Sequence, residues 1–161
     1  MHHIKATAIG VLLGIHLIYS AAAYSGTGTI ILRDSQEAIC SFPLPEPGTT
    51  QRYSFLFGPA PCRDWSNRAR TIELAEIPSA TTILLTETGV CSKTENLSFI
   101  SLKTTKKQTN TSIIAIEYLS TFKKDQIIEP GLQMVDLQIK SPLRDKVNCI
   151  EVTTSATPPP P

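Results

Sequence analysis

The chain has 161 residues, of which 41% are hydrophobic and 18% are charged, and its formal net charge at pH 7 is +1. This length is enough for one domain with its own hydrophobic core. A charge balance so close to zero gives no field that would gather nucleic acid or an anionic membrane, so we expect neither as a partner.

Residues 1–23 have the three parts of a secretory signal peptide. Lys5 precedes a run, residues 6–19, that contains no Asp, Glu, Lys or Arg, and small residues follow up to Ala23. The run is too short to cross a bilayer as a permanent helix, although an uncleaved anchor is the alternative. We therefore predict cleavage after Ala23 and a secreted or periplasmic protein that leaves the membrane.

Cleavage at Ala23 would remove every histidine, since His2, His3 and His16 are the only ones in the chain. A mature chain without histidine lacks the usual general base of enzymes. It would also have equal numbers of basic and acidic residues, because Lys5 is the only charged residue lost. We accordingly expect no catalytic residue and no enzymatic activity.

All four cysteines, Cys40, Cys62, Cys91 and Cys149, follow the predicted cleavage point. In an oxidising compartment an even number of cysteines indicates disulfides, and four cysteines allow three different pairings. The sequence contains no C-x-x-C pair to suggest a zinc site, so we predict no metal centre.

One short segment occurs twice in the chain. Thr-Ile-Ile-Leu at residues 29–32 returns as Thr-Ile-Leu-Leu at residues 82–85, and a cysteine follows each copy, at Cys40 and Cys91. Asp34 and Glu87 also occupy matching positions. A strand, a polar turn and a cysteine that recur together indicate one supersecondary unit used twice.

A second correspondence joins residues 72–74, Ile-Glu-Leu, to residues 150–152, Ile-Glu-Val. It divides a single domain, residues 24–155, into units of about 27–78 and 79–155, and the extra length of the second unit is placed in residues 103–125. If each unit closes on itself, the disulfides are Cys40–Cys62 and Cys91–Cys149. Closing such loops stabilises a protein by about 3 to 4 kcal/mol each in the chain-entropy model.

Most of the chain has the composition of strands. In residues 70–77, Ile72 and Leu74 would face inward, and in residues 132–140 the inward set would be Val135, Leu137 and Ile139. Short, evenly spaced strands predict an all-β, antiparallel two-sheet sandwich made of two Greek-key-like units, with a disordered proline-rich tail at 156–161. The predicted strands are residues 28–33, 53–57, 70–77, 81–87, 97–103, 111–118, 132–140 and 148–153.

Three stretches resemble the βγ-crystallin superfamily and its microbial secreted relatives. Residues 62–74 run Cys-Arg-Asp-Trp-Ser-Asn-Arg-Ala-Arg-Thr-Ile-Glu-Leu, and they are joined by residues 77–87 and by Gly131 with residues 145–152. The resemblance implies a secreted domain in which one Greek-key unit is used twice.

Many members of that family bind calcium, and the matching positions here are residues 66–71 and 144–149. Calcium takes about six to eight oxygen ligands and favours a negative site. Each stretch keeps only one member of the leading Asn or Asp pair and adds two cations. The resemblance therefore implies the fold, with calcium as a disfavoured alternative and no cofactor expected.

The predicted contact surface is the segment 63–70, and its candidate binding residues are Arg63, Trp65, Asn67, Arg68 and Arg70. Trp and Arg are enriched at the energetic centres of protein interfaces. In the alternative interpretation, Trp65 closes the end of the sandwich and the arginines pair with Asp64 and nearby acids.

Three functions remain open at this stage. The first is a binding module that recognises an extracellular or periplasmic protein, as an inhibitor or toxin-neutralising factor does. The second is a structural or stress-resistant extracellular protein, and the third is a hydrolase based on Glu73 with Glu76 or Glu87 with Glu95. Asn96 and Asn110 match the acceptor motif for N-glycosylation in a eukaryotic source.

Overall fold

A computed structural model describes residues 28–57 and 62–156 of the chain. The predicted signal peptide and residues 157–161 of the proline-rich tail lie outside the described residues. Within them, no helix combines the length and the apolar character that crossing a bilayer requires.

The described residues form twelve strands and one short helix, all but the helix in antiparallel pairs. In chain order these elements are β1 (Thr29–Arg33), β2 (Ile39–Pro43), β3 (Thr50–Ser54), β4 (Thr71–Ala75), β5 (Ile77–Pro78), β6 (Thr82–Thr86), β7 (Phe99–Thr104), β8 (Gln108–Thr109), β9 (Ile114–Ala115), α1 (Ile116–Leu119), β10 (Ile127–Glu129), β11 (Leu132–Gln138) and β12 (Cys149–Thr153). The prediction of an all-β antiparallel sandwich is confirmed.

Two sheets enclose the core. A four-stranded sheet has the order β2-β1-β4-β9, and a six-stranded sheet has the order β10-β11-β7-β6-β12-β3. Alternation along each strand decides which side chains lie between them. In β1, for example, Ile30 and Leu32 are fully buried while their neighbours are half-buried, and Ile72 and Leu74 in β4 repeat that pattern.

The repeated segments occupy equivalent places in the two sheets. In the four-stranded sheet Leu32 of β1 lies opposite Ile72 of β4, and in the six-stranded sheet Leu85 of β6 lies opposite Ile150 of β12. All four side chains are buried, and Leu32 and Ile72 occupy the repeat positions that correspond to Leu85 and Ile150. The duplication seen in the sequence is therefore a duplication of strand pairing.

The two units exchange one strand each. β3 belongs to the first unit but lies at the edge of the six-stranded sheet beside β12, whereas β9 belongs to the second unit and lies beside β4. Neither sheet is made from one unit alone.

Both disulfides have the pairing that the repeat favours, Cys40–Cys62 and Cys91–Cys149. The proposed match of Cys40 with Cys91 is nevertheless wrong in space. Cys40 lies in β2, whereas Cys91 lies in the loop between β6 and β7. That loop is longer than its counterpart between β1 and β2, so its cysteine is not held within a strand.

The extra length of the second unit is distributed more widely than residues 103–125. Most of it forms α1 and the hairpin of β10 and β11, which pairs with β7 and widens the six-stranded sheet. The predicted strand at residues 111–118 is instead the short β9 followed by α1. A helical turn there buries Ile116 and Leu119 together, because residues three apart share one face.

Three further strand predictions need correction. The predicted inward set on β11 is wrong, because the register with β7 shifts between Met134 and Asp136. Leu132 and Met134 are the buried residues, whereas Ile139 is 38% exposed. The strand predicted at 53–57 begins and ends earlier, as β3, and β2, β8 and β10 had no predicted counterpart.

Candidate functional site

The segment 62–70 joins β3 to β4 and closes one end of the sandwich. Trp65 is only 7% exposed and belongs to the hydrophobic core. Its backbone N–H donates to the carbonyl of Cys62, and its own carbonyl accepts from the N–H of Arg68. Trp65 thus closes the sandwich, as the alternative interpretation expected, and it is not a surface contact residue in this conformation.

Arg68 is held by Asp34, the acid that follows β1. One oxygen of the Asp34 carboxylate accepts from the backbone N–H groups of Gln36 and Ala38, at 2.8 and 3.0 Å. The other accepts from the Arg68 guanidinium at 2.5 Å, and that guanidinium lies 5.1 Å from the centroid of the Trp65 ring. The hydrogen bond from Arg68 is the main cause that lowers the pKa of Asp34.

Arg70 is held by an acid of the second unit. Its Nε donates to Oδ1 of Asp145 at 2.9 Å, and this bond raises the pKa of Arg70. Among the described residues, the two terminal nitrogens of Arg70 have no hydrogen-bond partner, and its side chain is 42% exposed. Within residues 28–57 and 62–156, the carboxylate of Asp64 forms no ion pair with the arginines, and its backbone carbonyl accepts from Arg68 at 3.5 Å.

These side chains surround a shallow polar depression of about 360 Å³. It unites Asn67, Arg68 and Arg70, while Arg63 is exposed on the same segment and forms no ion pair within the described part of the chain. The residues that line the depression are Asp34, Ser35, Gln36, Asn67, Arg68, Arg70 and Asp145.

The two stretches that resemble calcium sites lie side by side. The N–H of Asn67 donates to the carbonyl of Val147, and the N–H of Asp145 donates to the carbonyl of Ala69. An oxygen of the Asp145 carboxylate accepts a hydrogen bond from the Arg70 guanidinium and is therefore already engaged by a cationic side chain. Across residues 28–57 and 62–156, no three acidic, cysteine or histidine side chains are grouped to hold a metal ion.

Asn148 connects the loops at this end of the sandwich. Its backbone N–H donates to Thr86 and its carbonyl accepts from Phe55. Its side-chain amide donates to the carbonyl of Glu87 at 2.9 Å and accepts from the hydroxyl of Ser66 at 2.7 Å. Asn148 was predicted to lie in a calcium-like stretch and at the start of a strand, and the sequence pattern gave no sign of this role.

Three exposed apolar side chains lie on the same loops, and we call them the apolar knuckle: Leu56, Phe57 and Val90. They are 46%, 78% and 62% exposed, respectively. Gly89 packs directly beneath them, since a Cβ there would come within 2.7 Å of Cδ1 of Leu56. This cluster was not predicted, because Leu56 and Phe57 were assigned to a strand at residues 53–57 and not to a loop.

The carboxylate pairs considered for hydrolysis have other contacts. Glu73 forms an ion pair with Arg33 at 2.6 Å, and Glu87 accepts from the N–H of Ser98 and the hydroxyl of Ser141. Asn96 and Asn110 are both exposed, although the amide oxygen of Asn110 accepts from the N–H of Glu76. Lys103, Lys106, Lys107, Lys123 and Lys124 are also exposed.

No protein-family model matches the sequence, and searches of curated proteins and of solved structures find no significant similarity either.

Proposed function

We propose that the chain is a secreted, non-enzymatic binding module that recognises a partner protein through the loops at the Asn148 end of the sandwich. The observation that carries this proposal is that both terminal nitrogens of Arg70, at the polar depression, have no hydrogen-bond partner within the described part of the chain. Asn148 also ties the loop of the apolar knuckle to this end. An apolar centre with arginine beside it is the usual composition of a protein interface.

The partner we propose presents a carboxylate to Arg70. A guanidinium offers its N–H groups in a planar fork that matches two carboxylate oxygens, and Arg70 uses only Nε within the described chain. Arg68 is less available, because Asp34 and Trp65 already hold its guanidinium. Arg63 adds an exposed positive charge on the same segment that has no ion-pair partner among the described residues, and the apolar knuckle supplies area to bury.

The proposal of secretion rests on the signal-like residues 1–23 and on the two disulfides, which are typical of oxidising compartments. The kinship with βγ-crystallins is likewise a proposal, based on the residues quoted above and on the duplicated units. The two disulfides also support a second candidate function, a stress-resistant extracellular protein that needs no specific partner.

A capture experiment tests the proposed binding. The purified chain would serve as bait in the extracellular fluid of its source, beside a variant that carries Arg63→Ala and Arg70→Ala. The Arg70–Asp145 pair is partly exposed and contributes at most about 1 kcal/mol, so this variant should fold. We expect captured proteins to be lost with the variant and kept with the control Lys106→Ala/Lys107→Ala, which removes two exposed cations elsewhere.

The proposed surface is wrong if the wild type and the arginine variant retain the same proteins in equal amounts. Fluorescence of Trp65 provides the folding control, because this residue is buried directly beneath Arg68. Phe57→Ala should weaken capture without removing it, since the knuckle supplies contact area and no charge.

A further inference from the structure

The polar depression is lined by polar and charged side chains throughout, and part of that lining is the turn that follows β1. Asp34 holds this turn, because its carboxylate accepts from the backbone N–H groups of Gln36 and Ala38. Ser35 and Gln36 are exposed on the turn, and neither side chain forms a hydrogen bond within the described part of the chain. A hydroxyl and an amide can each donate and accept, so the turn presents free neutral groups on a held backbone.

The remaining lining comes from the loop before β4 and from the second unit. The backbone N–H of Asn67 donates to the carbonyl of Val147, and its side-chain nitrogen donates to the hydroxyl of Ser66. The amide oxygen of Asn67 has no partner among the described residues and remains an acceptor. Arg70 contributes the two terminal nitrogens that are unbonded within residues 28–57 and 62–156, while its Nε is taken by Asp145.

The charge of the depression indicates which kind of anion it accepts. Two cations, Arg68 and Arg70, lie beside two carboxylates, Asp34 and Asp145, so the lining carries no net charge. Arg68 is already the ion-pair partner of Asp34, which leaves Arg70 as the lining cation with free N–H groups. One guanidinium fits one carboxylate, whereas a phosphate group carries a charge of about −1.5 to −2 at pH 7 and would be only partly compensated.

We propose that the depression binds an acidic sugar, whose carboxylate lies against Arg70 while its hydroxyl groups bond Ser35, Gln36 and Asn67. This inference rests on the proposed function and names the group that bears the partner's carboxylate, a uronic acid in a glycan of that partner. An aspartate or glutamate side chain would occupy Arg70 but would bring no hydroxyl groups to the three neutral residues. Because the lining has no apolar wall, a ligand covered with hydroxyl groups fits it better than an apolar ligand.

Nuclear magnetic resonance titration of the isotope-labelled chain with glucuronate tests this proposal. We expect chemical-shift changes at the residues of the depression and a dissociation constant of about 1 mM, because a shallow site leaves much of a single sugar in water. Glucose lacks the carboxylate, acetate lacks the hydroxyl groups, and a glucose phosphate carries a larger charge. Each of these three probes should bind at least about tenfold more weakly than glucuronate.

Two variants separate the carboxylate contact from the hydroxyl contacts. Arg70→Ala should weaken glucuronate binding at least about tenfold, since it removes the charged partner of the carboxylate. Gln36→Ala should weaken glucuronate binding about threefold, the effect of one neutral hydrogen bond, and should leave acetate binding unchanged. Gln108→Ala is the matched control, because it removes an exposed glutamine on β8, and it should change neither.

Glucuronate that binds no more tightly than acetate overturns the proposal, as does glucuronate binding that Gln36→Ala leaves unchanged. A glucose phosphate that binds as tightly as glucuronate overturns the choice of a carboxylate. These outcomes are distinct from failure of the proposed function, which the capture experiment decides. If glucuronate fails while the variant Arg63→Ala/Arg70→Ala still loses its captured proteins, Arg70 binds a carboxylate of the partner's polypeptide and not an acidic sugar.

Discussion

The two units of the sandwich agree in their strands and differ in their loops. β1 with β4 and β6 with β12 pair in the same register. The buried residues shared by the two pairs are Ile30, Leu32, Ile72 and Leu74 in the first and Ile83, Leu85, Ile150 and Val152 in the second, while β6 and β12 bury further residues such as Leu84 and Cys149. The loop that follows β1 is short and the loop that follows β6 is long, and their cysteines lie in different places. The repeat therefore specifies strand pairing, whereas each loop is fixed by its own side-chain and backbone contacts.

The acid after each repeated strand shows how the loops diverged. Asp34 accepts from backbone N–H groups two and four residues later and so forms a tight turn into β2. Glu87, at the matching position, reaches across to the N–H of Ser98 at 3.0 Å and to the hydroxyl of Ser141. The same position therefore organises both loops, with a longer side chain where the loop is longer.

Removing one disulfide at a time should produce the largest difference in unfolding free energy between the two units. Cys91–Cys149 spans 58 residues and Cys40–Cys62 spans 22. In the chain-entropy model their loss costs about 4 and about 3.5 kcal/mol of unfolding free energy, respectively. Urea denaturation of Cys91→Ala/Cys149→Ala and of Cys40→Ala/Cys62→Ala, with reduced wild type as control, would measure both costs. A larger loss for the shorter loop would show that loop length does not decide their order.

Equivalent leucines test whether the units are equal in the core. Leu32 and Leu85 are both fully buried, so Leu32→Ala and Leu85→Ala should each cost about 2 to 5 kcal/mol and differ from each other by less than about 1 kcal/mol. Because the units exchange strands, we expect one unfolding transition in every case. Trp65 fluorescence and far-UV circular dichroism should therefore give the same midpoint. Separate midpoints would mean that the units unfold independently.

The smallest expected effect is on the pH dependence of the unfolding free energy. It tests the short loop after β1 separately from the long loop after β6. Folding lowers the pKa of Asp34 below its ordinary value of 3.8, chiefly through Arg68, so the charged carboxylate stabilises the fold above that value. The contribution is lost as pH falls through the lowered pKa. Asp34→Asn should reduce the unfolding free energy at pH 7 and flatten its decline below about pH 4. Wild-type steepness in the variant would contradict this role.

Asp136 must be considered in the same titration, because the hydrogen bond from Lys93 lowers its pKa as well. Asp136→Asn provides the matched variant on the other sheet. Its ion pair is 42% and 43% exposed, so we expect a smaller loss of stability than with Asp34→Asn.

Sequence patterns predicted the elements whose burial is local and alternating. The alternating Ile, Leu and Val residues of β1, β4, β6 and β12 predicted which face of each strand is buried. The repeat indicated the pairing of both disulfides. The sequence could not show the register shift near Met134 or the helical turn at Ile116, because each depends on the strand that packs beside that segment in the fold. The same limit applies to the candidate site: Trp65, Arg68 and Arg70 were found by composition, but Asp34, Asp145 and Asn148 reach them only through the fold.

The exchange of β3 and β9 has a consequence for biosynthesis. β3 emerges early, yet its only neighbour in the sheet is β12, which ends at Thr153 of a 161-residue chain. Cys40 and Cys62 are both synthesised before β6, but the six-stranded sheet cannot be completed until β12 has been made. A chain that stops before Cys149 would thus leave β3 without its partner strand and Cys91 without its disulfide partner.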